Sequence, residues 1–127
     1  MKRAGLLIIA VAVALLLVVS SIAVARTFTC NQNRCRGTND RDTISGNRIG
    51  NTIRSLEGAD LVRGNGGRDS LHGDGGKDRL SGGNGDDRVE AADGNFDAIS
   101  CGSGRHDIVI FDRRLDSVIK CEIKRRR

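Results

Sequence analysis

The chain has 127 residues, 21 Lys and Arg against 16 Asp and Glu for a formal net charge of +5, 17 glycines, and no proline, tryptophan or tyrosine. Three phenylalanines cannot build an ordinary packed core, and a small domain with so little bulk needs a staple such as disulfides or a metal. With no aromatic platform beside it, so mild a basic excess argues against a specific nucleic-acid binder and leaves weak contact with anionic surfaces as the expectation.

The first 25 residues, MKRAGLLIIAVAVALLLVVSSIAVA, place Lys2 and Arg3 before an apolar run that ends in Ala23-Val24-Ala25. This is the layout of a secretory signal peptide with cleavage after Ala25. The alternative is an uncleaved membrane anchor, because Ala4 to Ala25 approaches the length of a spanning helix. Cleavage leaves a secreted domain of 102 residues, and the loss of Lys2 and Arg3 lowers the net charge from +5 to +3.

Residues 26–36 contain Cys30 and Cys35; Cys101 and Cys121 follow near the other end. An even number of cysteines in an exported chain reads as disulfides, with three pairings open. Cys30 with Cys35 and Cys101 with Cys121 is the expected one, because each pair then brackets one end of a periodic region. A metal site of four thiolates is disfavoured, since neither pair has C-x-x-C spacing.

From residue 37 onward an Asp or Asn is followed two residues later by an aliphatic: Asp42/Ile44, Asn51/Ile53, Asp60/Val62, Asp69/Leu71, Asp78/Leu80, Asp87/Val89, Asp97/Ile99, Asp107/Val109, Asp116/Val118. The spacing is nine except for two steps of ten, Asp87 to Asp97 and Asp97 to Asp107. A period of this kind marks a solenoid. Glycines precede the acids of the units up to Asp107, as Gly64, Gly66 and Gly67 precede Asp69, and they permit a tight turn with carbonyls facing inward. The piece around each aliphatic, such as Ser70-Leu71-His72, is a short strand with one side chain in and two out.

The stretch Gly64 to Glu90, GNGGRDSLHGDGGKDRLSGGNGDDRVE, closely resembles the RTX, or haemolysin-type, calcium-binding nonapeptide repeat G-G-x-G-x-D-x-U-x, with U aliphatic. The likeness is recognisable from Gly37 to about Val118. It implies an all-β fold, a parallel β-roll in which two nonapeptides form one coil and Ca2+ lies between unit n and unit n+2. Asp42, Asp60, Asp78 and Asp97 then line one edge, and Asn51, Asp69, Asp87 and Asp107 the other. The implied metal ligands are Asp60, Asp69, Asp78, Asp87, Asp97 and Asp107, with the turn positions Gly64, Gly66, Gly73, Gly75, Gly82 and Asn84. Carboxylates and turn carbonyls offer only oxygen, which suits a hard ion that takes six to eight such ligands. Leu71, Leu80 and Val89 form a thin core between two small sheets.

Departures qualify the likeness. Asn51 replaces a carboxylate, Ile49 a turn glycine, and Ser55-Leu56 a leading glycine pair, so the first coils are expected to bind calcium poorly or not at all. The units lengthen at Ala91 and Cys101, and Phe111-Asp112-Arg113-Arg114-Leu115 has no glycine. The division is therefore a signal peptide over 1–25, an N-terminal disulfide cap over 26–36, the roll over 37–110, and a C-terminal cap with the basic tail Lys124-Arg125-Arg126-Arg127 over 111–127.

His72, His106, Ser70 and Ser81 fall at outward positions with no companion that suggests a nucleophile and its base, so no enzyme is expected. The expected function is that of a monomeric, secreted calcium-binding repeat protein that folds on binding, since a glycine-rich chain gains its folding free energy from the metal. The alternative is an extracellular adhesion or polymer-binding module with a calcium-stiffened basic face. That face would use Arg63, Arg79 and Arg88, with Arg68 and Lys77 in the turns.

Overall fold

The computed structural model describes residues 24–126, so the expected signal peptide lies outside them except for Val24 and Ala25. The described residues form twelve strands: β1 (Arg26–Thr29), β2 (Arg34–Arg36), β3 (Asp42–Ser45), β4 (Thr52–Arg54), β5 (Leu61–Gly66), β6 (Ser70–His72), β7 (Arg79–Asn84), β8 (Arg88–Glu90), β9 (Ala98–Ser103), β10 (Ile108–Phe111), β11 (Ser117–Ile119) and β12 (Ile123–Arg126). Odd strands build one six-stranded sheet, in the order β1-β3-β5-β7-β9-β11. Even strands build a second, β12-β10-β8-β6-β4-β2. Every pairing is parallel, so each coil gives one strand to each sheet and the chain winds as a β-solenoid of about six turns.

The nine-residue period places one aliphatic at the centre of each strand. Ile44, Val62, Leu80 and Ile99 stack in the first sheet and face Ile53, Leu71, Val89 and Val109 of the second. All eight are at most 2% exposed. Burying one such side chain contributes about 2 kcal/mol, which ordering only one or two residues of backbone offsets. The thin core therefore does not hold nine-residue units in place alone.

β6 coincides with the three-residue strand expected at Ser70-Leu71-His72. β5, β7 and β9 instead run six residues into the following turn, because glycines there let neighbouring backbones keep pairing, Asn65 with Gly83 and Gly83 with Gly102. The extra residues of the two long units are expected from the sequence at Ala91 and Cys101, but Cys101 lies within β9 in unbroken register with β7. They fall instead in the turns between Ala91 and Asp97 and between Ser103 and Asp107, and the stacking of Leu80 on Ile99 and Val89 on Val109 is kept.

Parallel pairing also runs beyond residues 37–110. β1 pairs with β3, β2 with β4, β11 with β9 and β12 with β10. Phe28, Cys35 and Val118, partly buried, take the inward positions there. The cysteines pair as expected: Cys30–Cys35 spans 5.8 Å between Cα atoms within the first coil, and Cys101–Cys121 spans 5.1 Å and ties β9 to the turn before β12.

Close stacking of turns is most demanding at Gly76. Its φ is +114°, and a Cβ there would run into the Gly58 carbonyl of the coil beneath. Gly94 shares the left-handed region, φ +89°, but faces open space. With calcium present, Gly94→Ala is expected to lower the melting temperature by about 5 °C through backbone strain. Gly76→Ala should lower it more than twice as far in the same scan. Equal shifts would show that the turns are not packed this closely.

Candidate metal centre

The acids at the turn–strand junctions form two ladders. Along the first edge, the backbone N–H of Asp42 donates to Asp60 Oδ1 (2.6 Å), Asp60 to Asp78 (2.9 Å), Asp78 to Asp97 (2.7 Å) and Asp97 to Asp116 (2.9 Å). Along the second edge, Asn51 donates to Asp69 (2.7 Å), Asp69 to Asp87 (2.8 Å), Asp87 to Asp107 (2.7 Å) and Asp107 to Glu122 Oε2 (3.0 Å). Each acid lies beside the acid two units away, as the n to n+2 rule requires. Glu122 was not singled out in the sequence, because it follows Lys120-Cys121 with no glycine turn before it.

One carboxylate oxygen thus holds the neighbouring coil. The other, Oδ2 of Asp60, Asp69, Asp78, Asp87, Asp97 and Asp107, is buried without a hydrogen-bond partner. Leaving a buried anionic oxygen unpaired is among the costliest arrangements a fold can adopt. These six residues are the aspartates the sequence offered as metal ligands.

The surroundings of these oxygens are oxygen-rich and open. A Cβ on Gly73 would lie 2.9 Å from Asp78 Oδ2, and one on Gly64 or Gly82 would collide with Oδ2 of Asp69 or Asp87, so only glycine leaves room over the carboxylate. Carbonyls of Gly58, Gly67 and Gly82 face Gly76, Gly85 and Gly64 across the gaps. Among the described residues, no gap gathers three carboxylate, histidine or cysteine side chains. A cation here would take carboxylates from the ladder and complete its shell with carbonyls, a donor set that suits calcium rather than a soft or borderline metal. Gly66, Gly75 and Asn84 stand farther out: Gly66 pairs with Asn84 in the sheet, Asn84 Oδ1 accepts from Ser103 Oγ (2.6 Å), and Gly75 donates to the Leu56 carbonyl (2.9 Å).

Three other turns satisfy the inner oxygen internally. Asp42 Oδ2 accepts from Thr38 N (2.6 Å) and Thr38 Oγ1 (2.9 Å), Asn51 Oδ1 from Asn47 N (2.9 Å), and Asp116 Oδ2 from Asp112 N (2.7 Å). In each, an N–H four residues before the acid holds the inner oxygen, although Asp42 Oδ1, which no neighbouring N–H reaches, is also buried without a partner. Leu56 adopts φ +76° in the turn where it replaces a glycine, and Ser55 beside it is buried, donating to the Gly73 carbonyl (2.7 Å).

Two outward groupings differ from expectation. Arg63 and Arg79 lie on the first sheet and Arg88 on the second, so the three do not form one basic strip. The alternation of strands between sheets separates them. His72 does have companions: Nε2 is 3.3 Å from Ser70 Oγ, and Nδ1 is 3.6 Å from Glu90. Glu90 is shared with Arg88 at 3.7 Å, and the Ser70 N–H is already given to the Asn51 carbonyl (2.8 Å) rather than to an oxyanion, so the contact is a surface polar network.

Burial pushes the ladder carboxyls up: Asp78 to about 8, with Asp97, Asp60 and Asp93 adding repulsion, Asp97 to about 7 and Asp87 to about 6. Asp60, Asp69 and Asp107 shift the same way for the same reason. Without metal the folded chain therefore holds more protons than the unfolded one from about pH 4 upward. That stability is fully present below about pH 4 and is lost as the pH rises through 6 to 8. In chelator the β signal in circular dichroism should be greater at pH 5, where protons replace the missing cation, than at pH 8; in calcium, which competes with those protons, the order should reverse. The same order in both buffers would show that these carboxylates and the cation are not coupled.

The family model described as the RTX calcium-binding nonapeptide repeat (4 copies) matches residues 36–71, 45–80 and 63–95. Neither the curated proteins nor the solved structures contain a match to the chain.

Proposed function

Since residues 36–95 are RTX calcium-binding nonapeptide repeats, we propose that the protein is a secreted, non-catalytic calcium-binding module whose roll folds as its turns take up the ion. The unpartnered inner oxygens of the six aspartates carry this reading. Asp60 with Asp78, Asp78 with Asp97, Asp69 with Asp87, and Asp87 with Asp107 would hold the ion between coils, with turn carbonyls completing the shell. Calcium, when bound, supplies the positive charge that these buried carboxylates lack. The chain does the rest: N–H groups of one coil fix the carboxylates of the next, and glycines keep the space over them clear.

Secretion is supported by the signal layout of residues 1–25 and by two disulfides, which persist in oxidising compartments. Extracellular calcium modules bind at about 0.1–1 mM, so a chain that folds on binding would stay open inside a cell and order outside it.

Far-ultraviolet circular dichroism should show β structure appearing over millimolar calcium and vanishing in chelator; an unchanged spectrum would overturn the proposal. Asp78 accepts from Asp60 and donates to Asp97, so it borders two gaps, whereas the inner oxygen of Asp42 is already held by Thr38. Asp78→Asn is expected to raise the calcium midpoint about tenfold or more, and Asp42→Asn by less than about twofold. Equal shifts would mean that the ion does not lie between units n and n+2.

A further inference from the structure

The two edges carry the same ladder in different fields. Outside the ladder, the turns ending at Asp60, Asp78 and Asp97 hold Glu57, Asp74 and Asp93 against Lys77, but Arg54 pairs with both oxygens of Asp74 (2.8 and 3.0 Å), leaving a net −1; those ending at Asp69, Asp87 and Asp107 hold Asp86 against Arg68 and Arg105, a net +1. The acids of the first edge sit close to the turns. Glu57 presses on the Gly75 turn, where a Cβ would be 2.5 Å from its Oε2, and Asp93 Oδ2 accepts from Gly76 N at 3.0 Å. The 73–78 turn is thus flanked by a carboxylate from the coil below and one from the coil above. A groove of about 670 Å3, lined by Arg54, Glu57, His72, Asp74, Glu90 and Asp93, opens this side to solvent.

On the second edge the lone extra acid, Asp86, is spent on its neighbours. Its Oδ1 accepts from Arg105 N (2.9 Å) and His106 N (3.2 Å), and its Oδ2 lies 3.4 Å from His106 Nδ1. Arg68 and Arg105, both exposed, stand beside the turns and repel a cation. The chain at this edge also stays paired as strand into the turn, whereas the first-edge turns begin after β4, β6 and β8 have ended.

We infer that the roll binds divalent cations in two classes, tightly along Asp60, Asp78 and Asp97 and weakly along Asp69, Asp87 and Asp107. The inference rests on the calcium reading above. Two charges of difference, acting on a divalent ion about 10 Å away through water at low salt, amount to roughly a tenfold preference.

The test uses the calcium-saturated, folded protein, so that folding and site preference are not confounded. Gadolinium(III), added at one ion per ten proteins, exchanges into the turns and broadens nearby amide resonances. In low salt, amides of Gly73 to Asp78 should broaden about tenfold more than those of Gly82 to Asp87, and 0.5 M NaCl should shrink the ratio. Glu57→Gln combined with Asp93→Asn should reduce the ratio several-fold by weakening the first edge alone; Arg68→Gln with Arg105→Gln should reduce it by strengthening the second. Equal broadening at both edges, or a ratio untouched by the four substitutions, would overturn the two-class assignment while leaving calcium binding standing. A chain that does not order in calcium would instead overturn the calcium reading, and this inference with it.

Discussion

In each gap of the roll a carboxylate gives one oxygen to the backbone of the neighbouring coil and keeps the other buried and unmatched. The first contact sets the stacking distance and register of the turns, since N–H to Oδ1 lengths of 2.6 to 2.9 Å recur from Asp42 to Asp97 and 2.7 to 2.8 Å from Asn51 to Asp87. The second makes the stack costly without a counter-charge. Glycine over the carboxylate, carbonyls facing across the gap, and raised carboxyl pKa values all follow from placing that oxygen where water does not reach.

The core explains why this arrangement is kept. One aliphatic per strand, with Val, Ile and Leu interchanging from coil to coil, supports two narrow sheets of strands three to six residues long and little more. Such a core favours the coil once it is formed, but it cannot order glycine turns whose entropy exceeds its gain. The burden moves to the edges, where electrostatics decide the outcome, and to the disulfides, which limit the open chain. Closing the loop from Cys101 to Cys121 is worth about 3 kcal/mol on the chain-entropy account.

Much of this was legible in the sequence because it is periodic. The Asp-x-aliphatic spacing located the buried column and the strand at Ser70-Leu71-His72, and the n to n+2 rule implied by the resemblance to the RTX repeat sorted the acids into two ladders. What was not legible depends on contacts between coils. That Asn47 N and Asp112 N reach the acid four residues on cannot be read from GNRIGN or FDRRLD, since it turns on local backbone direction rather than on residue type. The extension of pairing to β1 and β12 was hidden because Phe28 and Lys124 hold ladder positions outside the acid–aliphatic pattern. The basic strip failed for a geometric reason: a nine-residue step changes sheet, so residues near in sequence such as Arg79 and Arg88 face opposite ways.

The inner-oxygen contacts also divide the solenoid along its axis. Turns at Asp42, Asn51 and Asp116 close on their own N–H groups, while those from Asp60 to Asp107 do not. Coils whose inner oxygen is held by their own backbone therefore stand at both ends, next to the two disulfides, and coils whose inner oxygen is unmatched lie between them. A parallel ladder gains most when a new coil adds to one already formed, so ends whose turns close on their own N–H groups offer templates for the middle. Among the described residues, β1, β2, β11 and β12 are the edge strands of the two sheets, and edges of this kind invite pairing with another chain. Arg26, Arg34 and Arg36 at one end and Lys124, Arg125 and Arg126 at the other set like charges against each other in any end-to-end stack. The charge that would oppose calcium in the middle is thus placed where it opposes association instead.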